Sequence, residues 1–278
     1  MLIDVYFLPQ NVMDMERRVC IVVDVLRASS SIVTLFERGC RHLILAETVN
    51  QARQLRRQHD YVLCGEEEHL PPQGFDYGNS PAEFSRLNFK GKEVILKTSN
   101  GTRAIHVVAP APKLFVGCFL NGTAVVKRAL AEAQQGGYDL ALVCAGRELG
   151  TSFGLDDAVC AGYIADVMAR ELGNIGIEAS SQRSAAAGPQ GGRPVGPGQP
   201  GPALYHLDDS VHAVRRLYRS YIEGKSPTDG VFDALSSSRA GRRLTRLGLH
   251  SDVAYCCQLE TSKLAPYLEV APDGTLGM

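Results

Sequence analysis

The chain has 278 residues, of which 45% are hydrophobic, and this is enough for one large domain or two small ones. Its 29 basic and 30 acidic residues give a net charge of −1. This balance predicts neither a nucleic-acid partner nor an anionic membrane surface, since both require a clustered basic excess. An anionic ligand would have to be held by a local group of donors.

The cysteines and the apolar runs predict a cytoplasmic protein. The chain contains eight cysteines, several of them inside apolar runs and none in a C-x-x-C pair. This pattern favours buried free thiols in a reducing compartment. The first residues lack the basic region and the long apolar core of a signal peptide. No apolar run approaches the ~20 residues that span a bilayer, so we expect no membrane partner.

Short apolar runs alternate with helical patterns along the chain, which is typical of an α/β fold. Strands are predicted at 19–25, 43–46, 61–64, 93–97, 114–118, 140–144 and 252–258. Helices are predicted after Ser29, after Thr48, and at 102–108, 123–134, 156–172, 207–223 and 230–247. Residues 180–202 are rich in Gly, Pro, Ala, Ser and Gln and cannot bury enough apolar surface to fold. We predict a disordered insertion there.

The first polar segment follows the strand at 19–25, where ligands bind in open α/β sheets. Asp24 ends an apolar strand, which is costly unless the carboxylate is paired or binds a metal. Arg27, Ser29 and Ser30 begin a helix and could bind an anion through a guanidinium, hydroxyls and backbone N–H groups. An Asp24–Arg27 structural pair with serine capping explains the same residues, and the segment alone does not choose between the two.

Two further segments supply oxygen atoms in loops. Glu66 belongs to a run of three glutamates directly after a strand, which usually forms a solvated turn but could reach a metal. The segment 74–81 contains Asp76 and Asn79, together with two glycines that permit tight turns. Turn formation explains most of this composition without any function.

An Asn-Gly-Thr unit occurs at two predicted strand ends. Asn100, Gly101 and Thr102 follow one strand, and Asn121 begins the same triplet after the next. Each unit exposes N–H groups at a helix start, where an anion can bind. If the two strands are adjacent, two anion sites would lie side by side. Ordinary turn formation and capping are the alternative.

The last acidic segment, Asp156-Asp157, opens a helix shortly after the strand at 140–144, where capping carboxylates are common. Several carboxylates with few histidines favour Mg²⁺ over Zn²⁺. The chain has no phosphate loop, no dinucleotide fingerprint and no G-x-S-x-G nucleophile elbow. It also lacks the sequence patterns of the thiol and phosphoaspartate phosphatases.

Six ordered segments together resemble one known family, the 2-phosphosulfolactate phosphatases of coenzyme M biosynthesis. They are DVLRAS (24–29), GE (65–66), GFDYGNSP (74–81), SNGT (99–102), FLN (119–121) and CAG (144–146). The resemblance extends to 252–254 and so covers nearly the whole chain outside the insertion. The chain departs from the pattern at Asp156, where relatives often have Glu, and in the insertion itself.

The resemblance implies a Mg²⁺-dependent phosphatase that converts 2-phospho-3-sulfolactate to 3-sulfolactate and phosphate. It implies a single layered α/β/α domain with a mixed sheet and a cleft between two lobes, near 1–120 and 121–278. The substrate could instead be another small phosphorylated acid, and a protein that binds anions without catalysis is a further alternative. The oligomeric state is not defined, and a homodimer is the commonest default.

We hypothesise the following roles for the site residues. Asp24, Glu66, Asp76 and Asp157 are the expected Mg²⁺ ligands. Asp24 and Arg27 are the expected catalytic residues, with a metal-bound water attacking phosphorus in line and attack by Asp24 itself as the alternative. Substrate binding is assigned to Arg27, Ser29, Ser30, Asn79, Asn100, Gly101, Thr102 and Asn121.

Overall fold

The computed structural model describes residues 1–57, 60–174, 178–179, 204–270 and 275–278. The insertion predicted at 180–202 lies outside these residues. Among them, no helix is both long enough and apolar enough to cross a membrane. Each of the eight cysteines is buried and free, which confirms the prediction of free thiols.

Six strands form a parallel sheet. They are β1 (Leu2–Tyr6), β2 (Arg18–Val23), β6 (Lys113–Val116), β7 (Asp139–Cys144), β8 (Glu178–Ala179) and β9 (Leu204–Leu207). Their order is β6-β2-β7-β1-β9-β8, and every neighbouring pair is parallel. Val19 of β2 lies opposite Leu140 of β7. The carboxyl ends of the two central strands therefore reach the same edge.

Five strands form a second, mixed sheet. They are β3 (His42–Ala46), β4 (Val62–Gly65), β5 (Glu93–Lys97), β10 (Glu269–Val270) and β11 (Leu276–Gly277). Their order is β10-β11-β3-β5-β4. The central strands β3, β5 and β4 run parallel, whereas β11 runs antiparallel to β3 and to β10.

Ten helices complete the described fold. They are α1 (Ala28–Glu37), α2 (Val49–Arg56), α3 (Pro81–Phe84), α4 (Gly101–Val108), α5 (Gly122–Gly136), α6 (Leu155–Asn174), α7 (Asp209–Ile222), α8 (Pro227–Ser237), α9 (Arg239–Arg246) and α10 (His250–Cys256). Several begin at the residue types that cap helices. The side chains of Thr48, Ser226 and Ser238 accept the first free N–H groups of α2, α8 and α9.

The two faces of each sheet pack into different cores because side chains alternate along a strand. In β2, Val19 and Ile21 face one core with α5, α6 and α7, whereas Cys20 and Val22 face another. This second core holds α1 and α4 between the two sheets. The outer face of the mixed sheet packs on α2. The layered α/β class is confirmed.

Two structural predictions were wrong in detail, and the condition attached to a third was not met. The chain builds two sheets rather than one. Both faces of each central strand are apolar, so each face needs a layer of other elements to cover it. Residues 252–258 lie mostly in helix α10, where Asp252, Val253 and Cys256 are buried with helical spacing. The strands before Asn100 and Asn121 belong to different sheets, so the two Asn-Gly-Thr units do not lie on adjacent strands.

The boundary proposed near residue 120 does not separate the sheets. Strand β2 pairs with β7 across that position, and β11 pairs with β3 across it as well. Each sheet is thus completed by segments from both parts of the chain. The loops that follow β2, β7, β4 and β5 meet between the sheets, which is where the polar residues gather.

Candidate active site

A cleft of about 340 Å³ opens where these loops meet. One wall is acidic, with Asp24 after β2 and Asp156 and Asp157 at the start of α6. The other wall is basic, with arginines from the loop after β7 and from α9. The charged or polar side chains that line the cleft are Asp24, His69, Asn100, Arg147, Glu148, Asp156, Asp157, Arg239, Arg243 and Arg246.

Asp24 is held in position by the turn between β2 and α1. Its Oδ1 accepts a hydrogen bond from the Ala28 N–H at 3.3 Å, and its own N–H donates to Ser29 Oγ at 2.8 Å. The side chain is buried, with 7% of the residue exposed. A Cβ at Gly101 would lie 2.7 Å from Asp24 Oδ2. The turn therefore orients the carboxylate, and glycine lets α4 approach it.

Asp156 and Asp157 differ sharply in their partners. Asp157 Oδ1 accepts the Val25 N–H and its Oδ2 accepts the Gly146 N–H, both at 3.0 Å. In contrast, Asp156 Oδ1 is buried without a hydrogen-bond partner among the described residues. Asp157 thus joins the loops after β2 and β7, whereas Asp156, which lines the cleft, keeps one carboxylate oxygen without a partner among the described residues.

The acidic wall carries electrostatic repulsion. Burial, followed by the charge of Asp156, raises the pKa of Asp24 to about 7, and Glu66 adds to the increase. Burial raises the pKa of Asp156 to about 6, although the Arg147 guanidinium opposes this shift. Burial and the two neighbouring aspartates also raise the pKa of Asp157. A cation among these groups would relieve the repulsion.

Glu66 lies beneath the cleft rather than in its wall. Its Oε2 accepts the His69 N–H at 2.7 Å, and its Oε1 accepts the Ser99 N–H at 2.6 Å. The buried Lys97 ammonium donates to the Glu66 carbonyl oxygen at 2.9 Å. Glu66 is therefore buried with both carboxylate oxygens hydrogen-bonded, and it joins the loops after β4 and β5.

Arg27 makes a buried ion pair behind the cleft. Its Nη1 lies 2.8 Å from Asp252 Oδ2, and its Nη2 donates to the His69 carbonyl oxygen at 2.9 Å. Ser80 Oγ donates to Asp252 Oδ1 at 2.6 Å. A buried guanidinium requires a counter-charge, and α10 provides it here. Contact of Arg27 with a substrate stays a prediction.

Four other predicted substrate ligands have their polar groups engaged within the protein. Ser29 Oγ accepts the Asp24 N–H, and Ser30 Oγ donates to the Val25 carbonyl oxygen. Thr102 Oγ1 lies 3.0 Å from Thr98 Oγ1 in a reciprocal cap. The amide of Asn121 bonds to the backbone of Val116, Cys118 and Leu264. These partners explain the residues as turn and cap formers.

The last three residues predicted for the site differ in their location and in their hydrogen-bond partners. Asn100 lines the cleft, and its Oδ1 accepts the Leu149 N–H at 3.0 Å. Asn79 is buried outside the cleft wall, and its Oδ1 has no partner among the described residues. Asp76 lies in a separate surface depression, where it pairs with Arg56 and accepts the Leu63 N–H. The structure thus separates Asp76 from Asp24 and Asp157.

Sequence reasoning missed the basic wall and the role of Asp156. Arg239, Arg243 and Arg246 lie on α9 with spacings of four and three residues, which places them on one helical face. That spacing was a usable signal. Nothing in the pair Asp156-Asp157 indicated which carboxylate would be bonded to the backbone.

The acidic wall fits a divalent cation of the hard, oxygen-binding kind. Among the described residues, no group of three or more His, Cys, Asp or Glu side chains is placed to hold a metal ion. Mg²⁺ commonly binds through one or two carboxylates and completes its shell with water and phosphate oxygens. Asp24 and the unpartnered Oδ1 of Asp156 meet that requirement.

The molecule is thus an α/β protein whose polar cleft, at the carboxyl ends of parallel strands, brings buried aspartates and several arginines together. Comparison with known proteins identifies the family. The family model described as 2-phosphosulpholactate phosphatase matches residues 6–270. The chain belongs to this family. The prediction of a phosphoric monoester hydrolase is thereby confirmed.

Individual relatives agree over almost their full length. A probable 2-phosphosulfolactate phosphatase of Pseudothermotoga lettingae is 31% identical over 266 residues, which is 95% of each chain. One of Deinococcus radiodurans is 35% identical over 261 residues, 93% of this chain and 91% of the relative. One of Symbiobacterium thermophilum is 32% identical over 256 residues, 91% and 92% of the two chains.

Proposed function

We propose that this protein hydrolyses 2-phospho-3-sulfolactate to 3-sulfolactate and inorganic phosphate with Mg²⁺ as cofactor. The observation that carries the proposal is that Asp24 and Asp156 line the same cleft as four arginines. The names of the relatives supply the substrate. A substrate with several negative charges suits a cleft that offers several guanidinium groups.

The reaction breaks the bond between phosphorus and the C2 oxygen and forms a new bond between phosphorus and a water oxygen. When bound to Asp24 and Asp156, Mg²⁺ would neutralise these carboxylates and polarise the phosphoryl oxygens. A carboxylate oxygen of Asp24 not engaged by the cation would accept the proton of the attacking water. Direct attack by Asp24 is the alternative. The leaving C2 oxygen takes up a proton to give the alcohol.

The arginines provide the remaining charge. Burial raises the pKa of Asp156, and Arg147 lies close enough to oppose this rise, so it can contact a phosphoryl group held at the acidic wall. Positioning and charge neutralisation account for most of the catalysis of phosphoryl transfer. The residues of this chain therefore need only orient the substrate and accept one proton.

The test is phosphate release from 2-phospho-3-sulfolactate by protein stripped of divalent ions. We expect release only after Mg²⁺ is added, and a loss of at least ~10²-fold in Asp24→Asn, whose folding is checked by circular dichroism. The exposed Lys92→Ala, distant from the cleft wall, is the control. Undiminished release in excess chelator would overturn the role of Mg²⁺, and no release at any Mg²⁺ concentration would overturn the phosphatase.

A further inference from the structure

The four arginines of the cleft differ in how much of their charge is already neutralised. Glu148 Oε1 lies 3.1 Å from Arg239 Nη1 and 3.9 Å from Arg147 Nη1. Glu148 Oε2 accepts a hydrogen bond from Ser152 Oγ at 2.7 Å, which holds the carboxylate in place. Arg147 and Arg239 therefore share an internal counter-ion before any substrate arrives.

Arg243 has no such counter-ion. Its guanidinium makes no hydrogen bond or ion pair with any residue in the described part of the chain, although it lines the cleft. It lies one turn after Arg239 on α9, which begins at a Ser238 cap and is anchored by the buried Leu244. The helix thus holds a free positive charge at the cleft.

The two ends of the basic wall face different neighbours. Arg147 directly follows Gly146, whose N–H donates to Asp157 Oδ2 at 3.0 Å, so it lies next to the acidic wall. Arg243 lines the same cleft as His69, in the loop after β4; burial lowers the pKa of this imidazole, and the charges of Arg27 and Arg243 lower it further. A phosphoryl group at the acidic wall would therefore leave the rest of the substrate to extend toward Arg243 and His69.

We infer that Arg243 binds the anionic group of the substrate that is not transferred, and so makes the enzyme selective for phosphorylated acids over simple phosphomonoesters. The inference rests on the proposed function for the location of the phosphoryl group. A guanidinium matches the planar carboxylate and the sulfonate equally well as a donor of paired hydrogen bonds. Arg246 likewise has no ion pair with a described residue, but its Nε donates to the Arg242 carbonyl oxygen at 3.3 Å. Among the cleft arginines of the described chain, Arg243 is therefore the one whose guanidinium can form such a contact without breaking an internal ion pair or hydrogen bond.

The experiment compares Arg243→Ala with Arg242→Ala in the full-length protein. Arg242 is the adjacent, exposed arginine of the same helix; it lies outside the cleft lining, and its guanidinium is bonded to the Ser237 carbonyl oxygen. Kd is measured by calorimetry for 3-sulfolactate and for inorganic phosphate. In parallel, kcat/KM is measured for 2-phospho-3-sulfolactate and for isopropyl phosphate, which lacks both acid groups.

In Arg243→Ala we expect the Kd of 3-sulfolactate to rise about 10- to 100-fold, and the Kd of inorganic phosphate to change less than about threefold. The kcat/KM for 2-phospho-3-sulfolactate should fall by a similar factor, mostly through KM, and that for isopropyl phosphate should not. Arg242→Ala should change none of these values.

An unchanged Kd for 3-sulfolactate in Arg243→Ala would overturn the inference, as would an equal weakening of both ligands. Failure of the proposed function looks different. In that case the wild-type protein releases no phosphate from 2-phospho-3-sulfolactate, whatever the binding constants show. The calorimetry therefore tests Arg243 independently of turnover.

Discussion

At the scale of single residues, two adjacent aspartates of the same helix turn have opposite environments. Both oxygens of Asp157 accept backbone N–H groups, whereas Asp156 Oδ1 is buried with no partner among the described residues. A carboxylate that accepts two amide groups stabilises the fold, and one that lacks partners is available to a cation or a substrate.

This difference predicts separate outcomes for two conservative substitutions. Asp156→Asn should lose at least ~10²-fold in kcat and keep or gain thermal stability, because one of several repelling charges is removed. Asp157→Asn should lose about 1–3 kcal/mol in the free energy of unfolding, because one oxygen becomes a donor that faces a backbone N–H. Urea denaturation and steady-state kinetics of both variants test the assignment. Interchanged phenotypes would contradict it.

The raised pKa values also predict how stability depends on pH in metal-free protein. The folded pKa of Asp24, about 7, and that of Asp156, about 6, exceed the usual ~4 of an unfolded aspartate. These two carboxyl groups therefore bind protons more tightly in the folded state than in the unfolded state. As a result, their contribution to the free energy of unfolding falls as pH rises from about 4 to about 8. In chelator, the midpoint temperature of unfolding should fall over this range.

Asp156→Asn serves as the reference for this pH dependence, because it removes one titrating group and lowers the repulsion on the other. Its midpoint temperature should fall less than that of the wild type between about pH 5 and about pH 8. Equal decreases in the two proteins would show that other groups account for the effect. Adding Mg²⁺ at the higher pH should raise the midpoint of the wild type more than that of the variant.

At the scale of secondary-structure elements, the site depends on the close approach of α4 to the turn before α1. A Cβ at Gly101 would lie 2.4 Å from Ala28 Cβ and 2.7 Å from Asp24 Oδ2. Both distances are shorter than a van der Waals contact, so any side chain must push α4 or Asp24 away. The first residue of α4 therefore has to be glycine for Asp24 to keep its position.

Gly101→Ala should lower kcat by about 10²-fold, since displacement of a catalytic group by about 1 Å has effects of that size. Gly173→Ala is the matched control, because a Cβ at Gly173 in α6 has no neighbouring atom within 4 Å. The control should keep its activity and gain up to about 1 kcal/mol of stability from its helical position. Full activity in Gly101→Ala would show that the contact relaxes without moving Asp24.

At the scale of the whole molecule, one buried ion pair connects distant parts of the chain. Arg27, after the second strand, binds Asp252 in the last helix, and Ser80 from the loop between β4 and α3 binds the same carboxylate. Neither side chain of the pair exposes more than 2% of its surface. The pair therefore holds the sheet edge, the long loop and α10 in one arrangement.

Arg27→Ala should destabilise the protein by about 3–5 kcal/mol, because the Asp252 carboxylate is left buried without its counter-charge. Arg41→Ala, which removes a largely exposed partner of Glu93, should cost less than about 1 kcal/mol. Activity is compared under conditions where both variants are folded. Retained stability in Arg27→Ala would refute the structural role, and a loss of at least ~10²-fold in kcat without unfolding would support direct catalysis.

Apolar alternation and ordered motifs are local features, and they were enough to predict the α/β class, most central strands and helices, the free buried cysteines and the family. Long-range packing set the rest. It builds two sheets, brings the arginines of α9 to the cleft, places Asp76 elsewhere, and leaves an oxygen of Asp156 rather than of Asp157 without a partner among the residues that the structure describes. A polar side chain is hydrogen-bonded or unpartnered according to which distant backbone groups reach it, and the local sequence does not record those groups.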